Sequence, residues 1–101
     1  MIVGVIYLIT CLINGKKYVG QTTQPLKKRI AQHKCSDLYI DRAIRKYGWK
    51  NFKVEVIEEC YTVEQLNARE IFWIAALNTK VPNGYNQTDG GEGNLAKRIS
   101  I

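Results

Sequence analysis

The first ten residues are dominated by β-branched and aromatic side chains, Val3, Val5, Ile6, Tyr7 and Ile9 among them, which suits an extended strand over about 2–10. Asn14-Gly15 supplies a turn, and Lys17-Tyr18-Val19-Gly20 resumes the extended pattern, so the N-terminal stretch reads as a hairpin. The period then changes to that of helices. Pro25 opens one through about Lys34 with Leu26 and Ile30 inward, and a second starts near Asp37, places Ile40, Ala43, Ile44 and Tyr47 on one face and ends at Gly48. Phe52 to Glu58 alternates like a strand with one covered face, and Thr62 and Gln65 have capping-box spacing at the head of a last helix that ends near Asn78. Pro82 to Asn86 forms a turn, and Asp89-Gly90-Gly91-Glu92-Gly93 a flexible segment. The order strand, strand, helix, helix, strand, helix implies an α+β domain: a small three-stranded, mostly antiparallel sheet flanked by helices.

A chain of 101 residues suits one domain, here expected over 1–90, with 91–101 a tail or the start of a linker. Its apolar runs are too short for a membrane span, and the N-terminus lacks the basic leader and small-residue cleavage site of a signal peptide. Cys11, Cys35 and Cys60 are odd in number and widely spaced, and the chain has a single histidine. They are read as reduced and structural, which points to an intracellular protein. The net charge of +6 is unevenly placed: residues 1–53 hold eleven Lys or Arg against two acids, and residues 54–101 four against seven. A half-chain this basic suits a polyanionic partner, although solvated helix faces are also rich in lysine. The glycine cluster is no phosphate loop, because the Gly-x-x-x-x-Gly-Lys-Ser/Thr pattern is absent and no helix is expected after it.

One carboxylate stands out. At about 100° per residue, Val63, Leu66, Trp73, Ile74 and Leu77 fall within roughly 60° of Glu70, so the glutamate sits in the middle of an apolar stripe. Burying that charge without a partner costs several kcal/mol, which implies that something outside the helix uses it. Arg29 and His33, at i and i+4, project from one helix face; arginine can grip phosphate oxygens and histidine can move a proton near neutral pH. Tyr7 and Tyr18 lie in the two arms of the hairpin, where alternation can bring both hydroxyls to one face. Each feature has a plainer reading, as a solvated surface for Arg29 and His33, core packing for the tyrosines, or a turn former for Asn86.

Taken together, Tyr7, Tyr18, Arg29, His33, Glu70 and Asn86 supply a proton acceptor, a cation, a metal-binding oxygen and polar orienters. The spacing Val5-Ile6-Tyr7, ten residues, Tyr18-Val19-Gly20, followed by Arg29-x-x-x-His33, Glu70 and Gly84-Tyr85-Asn86, resembles the GIY-YIG nuclease family over roughly residues 2–90. Valine stands at position 5, where the name-giving glycine is usual, with Gly4 one place earlier. The stretch Gly84 to Asn94 is most similar to catalytic domains of intron-encoded and phage or large-virus homing-type endonucleases. Such relatives usually carry a separate recognition segment, so the chain is expected to be a stand-alone cutter or a fragment ending in its linker.

The resemblance implies a metal-dependent endonuclease acting on double-stranded DNA. Glu70 would bind one Mg2+, which Mn2+ can replace. Tyr7 would take the proton of the attacking water, helped by His33 or Tyr18, Arg29 would neutralise the phosphate, and Asn86 would orient the site. Lys16, Lys17, Lys27, Lys28, Arg42, Arg45 and Lys46 are the expected DNA contacts. The rival readings are a non-catalytic basic nucleic-acid-binding module and a small structural domain; a pure binder gains nothing from a carboxylate at position 70.

Overall fold

The strand β1 (Gly4–Cys11) forms the middle of a three-stranded sheet, with β2 (Lys17–Thr22) and β3 (Phe52–Cys60) both antiparallel to it. This computed structural model describes residues 1–33 and 38–91. Helices α1 (Leu26–His33) and α2 (Tyr39–Tyr47) join β2 to β3 through a short 3-10 turn at Trp49–Asn51, and α3 (Val63–Leu77) follows β3. The expected α+β sheet is present and wholly antiparallel. The expected end of the first helix near Lys34 and start of the second near Asp37 lie outside the described residues, as do Cys35 and the tail from residue 92. No described helix is long and apolar enough to cross a membrane.

Local chemistry sets the element boundaries. Gly15 turns the hairpin with φ 76°, a conformation that favours glycine. Pro25 offers its carbonyl to the amides of Lys28 and Arg29 at the head of α1, and Gly48, at φ 86°, ends α2 by donating its N–H to Ile44. Thr62 caps α3 by accepting the Gln65 amide at 2.9 Å, while the Gln65 carboxamide reaches back to the Tyr61 amide at 2.7 Å. The expected capping box is thus stretched by one residue, because Gln65 closes on Tyr61 in place of Thr62.

Both faces of β1 are covered, which explains its nearly continuous apolar sequence. Tyr7, Ile9 and Cys11 pack on one face with Ile40, Ala43, Ile44, Phe52 and Tyr85, while Ile6 and Leu8 pack on the other with Val19, Cys60, Leu66 and Ile74. Cys11 and Cys60 are buried free thiols.

The outer edge of β2 is closed by the segment 79–86. Tyr85 donates its amide to Lys17 O at 2.9 Å, and Asn86 does the rest with its side chain. Its Oδ1 accepts the Val19 amide at 2.8 Å and the Thr79 hydroxyl at 2.7 Å, while its Nδ2 donates to the Val19 carbonyl at 2.8 Å. A carboxamide here takes the place of a neighbouring strand's peptide group, satisfying an edge that would otherwise stay open. Asn86→Ala leaves these buried groups without partners and is expected to cost about 2–4 kcal/mol. Urea denaturation checks this: the midpoint should fall with little change in slope, and a parent-like midpoint would show that the strap does not hold β2.

Candidate functional site

The site begins with the pairing of β1 and β2. Their register sets Tyr7 opposite Gly20 and Ile9 opposite Tyr18, so both tyrosines project from one face of the sheet, as alternation implies. Their ring centroids are 6.3 Å apart. Gly20 is what lets them meet: a methyl group at that position would lie 2.5 Å from the Tyr7 oxygen and 2.9 Å from Tyr18 Cε2. Gly4 answers a separate demand, since a methyl there would overlap the Thr22 carbonyl and come within 2.7 Å of Leu66.

The last residue of α1, His33, sits edge-on to both tyrosine rings, with centroids 6.0 Å from Tyr7 and 5.6 Å from Tyr18. Its Nε2 lies 2.8 Å from the Tyr7 oxygen and its Nδ1 lies 2.6 Å from Asp41 Oδ1. Tyr7, His33 and Asp41 are each fully buried. Arg29, one turn earlier on α1, is half-buried and bonds Gln32 at 3.2 Å; its charge and a hydrogen bond also act on Tyr7.

Burial governs the proton affinities here. It pushes the Tyr7 hydroxyl up to about 12 against the lowering pull of Arg29, with the charges of Glu70 and Asp41 adding to the rise. Tyr18 is raised further by the same cause and by the Tyr7 oxygen beside it. His33 is lowered, first by burial and then by the Arg29 charge, with Asp41 opposing. At neutral pH the cluster therefore rests as two protonated tyrosines beside an uncharged imidazole.

Glu70 approaches from α3, at the edge marked by β2. Leu66, Glu70 and Ile74 are the buried ridge of this helix, so the glutamate does lie in the apolar stripe, only 8% exposed. Its Oε1 accepts Gln21 Nε2 at 2.9 Å and the Gly91 amide at 2.8 Å, and Gln21 also donates to Asn67 at 2.8 Å. Its charge raises both Tyr7 and Tyr18. Gly90 and Gly91, at φ 99° and 82°, lie against α3, where a methyl on Gly90 would fall 2.8 Å from Ile74 Cδ1. The segment expected to be flexible is, as far as it is described, pinned to the carboxylate; Glu92 and Gly93 lie outside the described residues.

The structure thus brings Tyr7, Tyr18, Arg29 and His33 together, with the Glu70 charge acting on both tyrosines, and turns the Asn86 side chain to the backbone of Val19, between Tyr18 and Gly20. Lys27 and Lys28 on α1 and Arg42, Arg45 and Lys46 on α2 are exposed, whereas Lys16 and Lys17 beside the hairpin are half-buried. Sequence reasoning missed Gln21 and Asp41. The signal for Asp41 was its place about 60° from Ile44 on the helix, as one of two acids in an otherwise basic half; a lone glutamine on an edge strand carried none. Among the described residues, no three His, Cys, Asp or Glu side chains gather into a metal cage.

A family model described as the GIY-YIG catalytic domain matches residues 3–86. The chain is 36% identical over 92 residues to Intron-associated endonuclease 1 of Enterobacteria phage T4, covering 83% of this chain and 36% of that protein. Among solved structures it is similar to the catalytic domain of homing endonuclease I-TevI, with TM-score 0.70 and 32% identity over 84% of this chain and 98% of that one. A mutant of the same catalytic domain gives TM-score 0.73 and 33% identity over 86% and 95%. The chain spans 36% to 46% of the length of the curated relatives it matches. Sheet order, flanking helices and the tyrosine pair define the α+β fold of GIY-YIG nucleases. The match over most of the chain goes further: this protein belongs to the GIY-YIG family.

The contact between Gly20 and Tyr7 gives a direct test of how the site is built. Gly20→Ala must drive the Tyr7 ring off His33 or separate the two strands, at a cost of about 1–3 kcal/mol. Urea unfolding measures the loss, and an unchanged midpoint would mean that the ring has room to move.

Proposed function

We propose that this domain is a divalent-metal-dependent DNA endonuclease that hydrolyses phosphodiester bonds by water attack at a single-metal site. The carrying observation is the Glu70 carboxylate, buried in the apolar ridge of α3 and held by Gln21 and the Gly91 amide, in a fold that also pairs Tyr7 with His33. A module that only binds polyanions is disfavoured by a carboxylate there. The names of the relatives, an intron-associated and a homing endonuclease, support DNA as the substrate.

The donor chemistry of the chain fits Mg2+, with Mn2+ as a substitute. Glu70 offers a hard carboxylate oriented by Gln21 and the Gly91 amide, and magnesium asks for no protein cage because it takes most of its shell from water and substrate phosphate. When bound, the ion supplies positive charge and Lewis acidity at the scissile phosphate. The remaining work falls to the chain. Tyr7 takes a proton from the attacking water after passing its own to His33, and Tyr18 hydrogen-bonds beside it. Arg29 grips the phosphate oxygens as negative charge builds on them. Asn86 keeps Tyr18 and Gly20 in register through Val19, while the lysines and arginines of the hairpin, α1 and α2 hold the duplex through its phosphates.

The deciding experiment is incubation of supercoiled plasmid with magnesium, beside a sample with chelator. Cleavage only with magnesium is expected; no cleavage under either condition would overturn the function. Glu70→Gln should abolish cleavage while leaving stability unchanged or raised by about 1 kcal/mol, since a desolvated charge is neutralised in place. Magnesium should raise the melting temperature of the parent more than that of the variant, and equal shifts would remove Glu70 as the ligand.

Arg29→Ala should lower the rate at saturating DNA by about 10²–10⁴-fold while changing duplex affinity little. It removes one of eleven basic residues from the N-terminal half but a cation whose charge acts on both tyrosines. Single-turnover kinetics with a binding titration separate the two effects; full recovery of rate at saturating DNA would reduce Arg29 to a binding residue.

A further inference from the structure

Asp41 is a fully buried acid on α2, and its two oxygens do different jobs. Oδ2 accepts the Leu38 amide at 2.9 Å, closing the N-terminus of the helix. That bond alone would explain a carboxylate as a helix cap. Oδ1, however, lies 2.6 Å from His33 Nδ1, and the opposite nitrogen of the same ring meets the Tyr7 hydroxyl at 2.8 Å. Acceptor, imidazole and hydroxyl thus form one chain across β1, α1 and α2, all of it closed to solvent.

The direction of the protons follows from the donor inventory. A carboxylate accepts and cannot donate, so the facing Nδ1 must carry the hydrogen; the neutral ring then presents its Nε2 lone pair to Tyr7. We propose that Asp41 is a positioning residue that fixes His33 as the Nδ1–H tautomer, so that Nε2 can receive the Tyr7 proton. The inference rests on the nuclease reading above. In the step it serves, a lone pair of the water oxygen forms the new bond to phosphorus as the water proton passes to the Tyr7 oxygen. The proton of Tyr7 goes to His33 Nε2, while Nδ1–H stays on Asp41. The bond from phosphorus to the leaving oxygen breaks with its electron pair, and that oxygen is protonated from solvent. The imidazolium formed is stabilised by the Asp41 carboxylate, the role of the third member in a nucleophile–base–orienter series.

The single histidine of the chain makes the test direct. Nitrogen-15 NMR of the imidazole in the unaltered protein at neutral pH should show the proton on Nδ1 and a bare Nε2; a proton on Nε2 overturns the proposal with no variant needed. Asp41→Asn can still accept at one atom but must turn an N–H toward either His33 or Leu38. It should shift the ring toward the other tautomer and lower the cleavage rate at saturating DNA by about 10²–10⁴-fold with unchanged DNA affinity. In a His33→Gln background the same substitution should add less than about threefold, because the two residues act as a unit.

The acid limb of the rate profile should also move to lower pH in Asp41→Asn, since the acid that supports the imidazolium is gone while Arg29, Tyr7, Tyr18 and the more distant Glu70 stay in place. A helix cap alone would move none of these readouts. Full, independent losses in the double variant, or a folded Asp41→Asn protein with parental rate and limb, overturn the role of Asp41. An unaltered protein that binds magnesium yet cuts no DNA overturns the nuclease reading, whatever the tautomer.

Discussion

The middle strand has no wet face, and that constraint organises the rest of the molecule. A polar atom carried into this strand or against it must find its partner inside the protein or lose a few kcal/mol. Tyr7 brings a hydroxyl into that setting, and His33 answers it; His33 brings a second nitrogen, and Asp41 answers that. Among the described residues, no buried side-chain nitrogen or oxygen lacks a hydrogen-bond partner. The groups that suit proton transfer are therefore the same groups that the core requires to be satisfied, so chemistry and packing draw on one set of bonds.

The second strand is the meeting point of fold and site. It holds Tyr18 and Gly20 toward one face and sends Val19 and Gln21 to the other. Val19 fixes it to the core and, through its backbone, to Asn86; Gln21 fixes Glu70. A shift of this strand by one residue would exchange the two sets and separate the tyrosines. The motif glycine, the strap and the glutamine each oppose such a shift by a different means: steric fit, paired peptide groups and a buried polar contact.

How much of this was legible depended on the range of the interaction. The hairpin, the starts of α1 and α3 and the tyrosine face follow from neighbours a few residues apart, and Glu70 betrayed itself because a charge in an apolar stripe is a conflict visible within one helix. Its partners were not visible: Gln21 is an ordinary polar residue until α3 lies over it, and the Gly91 amide carries no side chain to read. Asn86 looked like a turn former because two of its three side-chain bonds go to Val19, 67 positions away in sequence. Asp41 fell at the rim of its helix stripe, where an acid usually meets water, and only the end of α1 brings His33 to it.

The strap on the second strand also bears on the order in which the molecule can assemble. The hairpin is local, but the pairing of Asn86 with Val19 joins residues 67 positions apart, and closure over such a span pays its chain entropy before any contact rewards it. During synthesis from the N-terminus, the hairpin is made long before the residue that covers its outer edge. Until position 86 emerges, that edge remains a template for a foreign strand, so a nascent chain stalled before this point carries a hazard of mispairing that the finished domain does not.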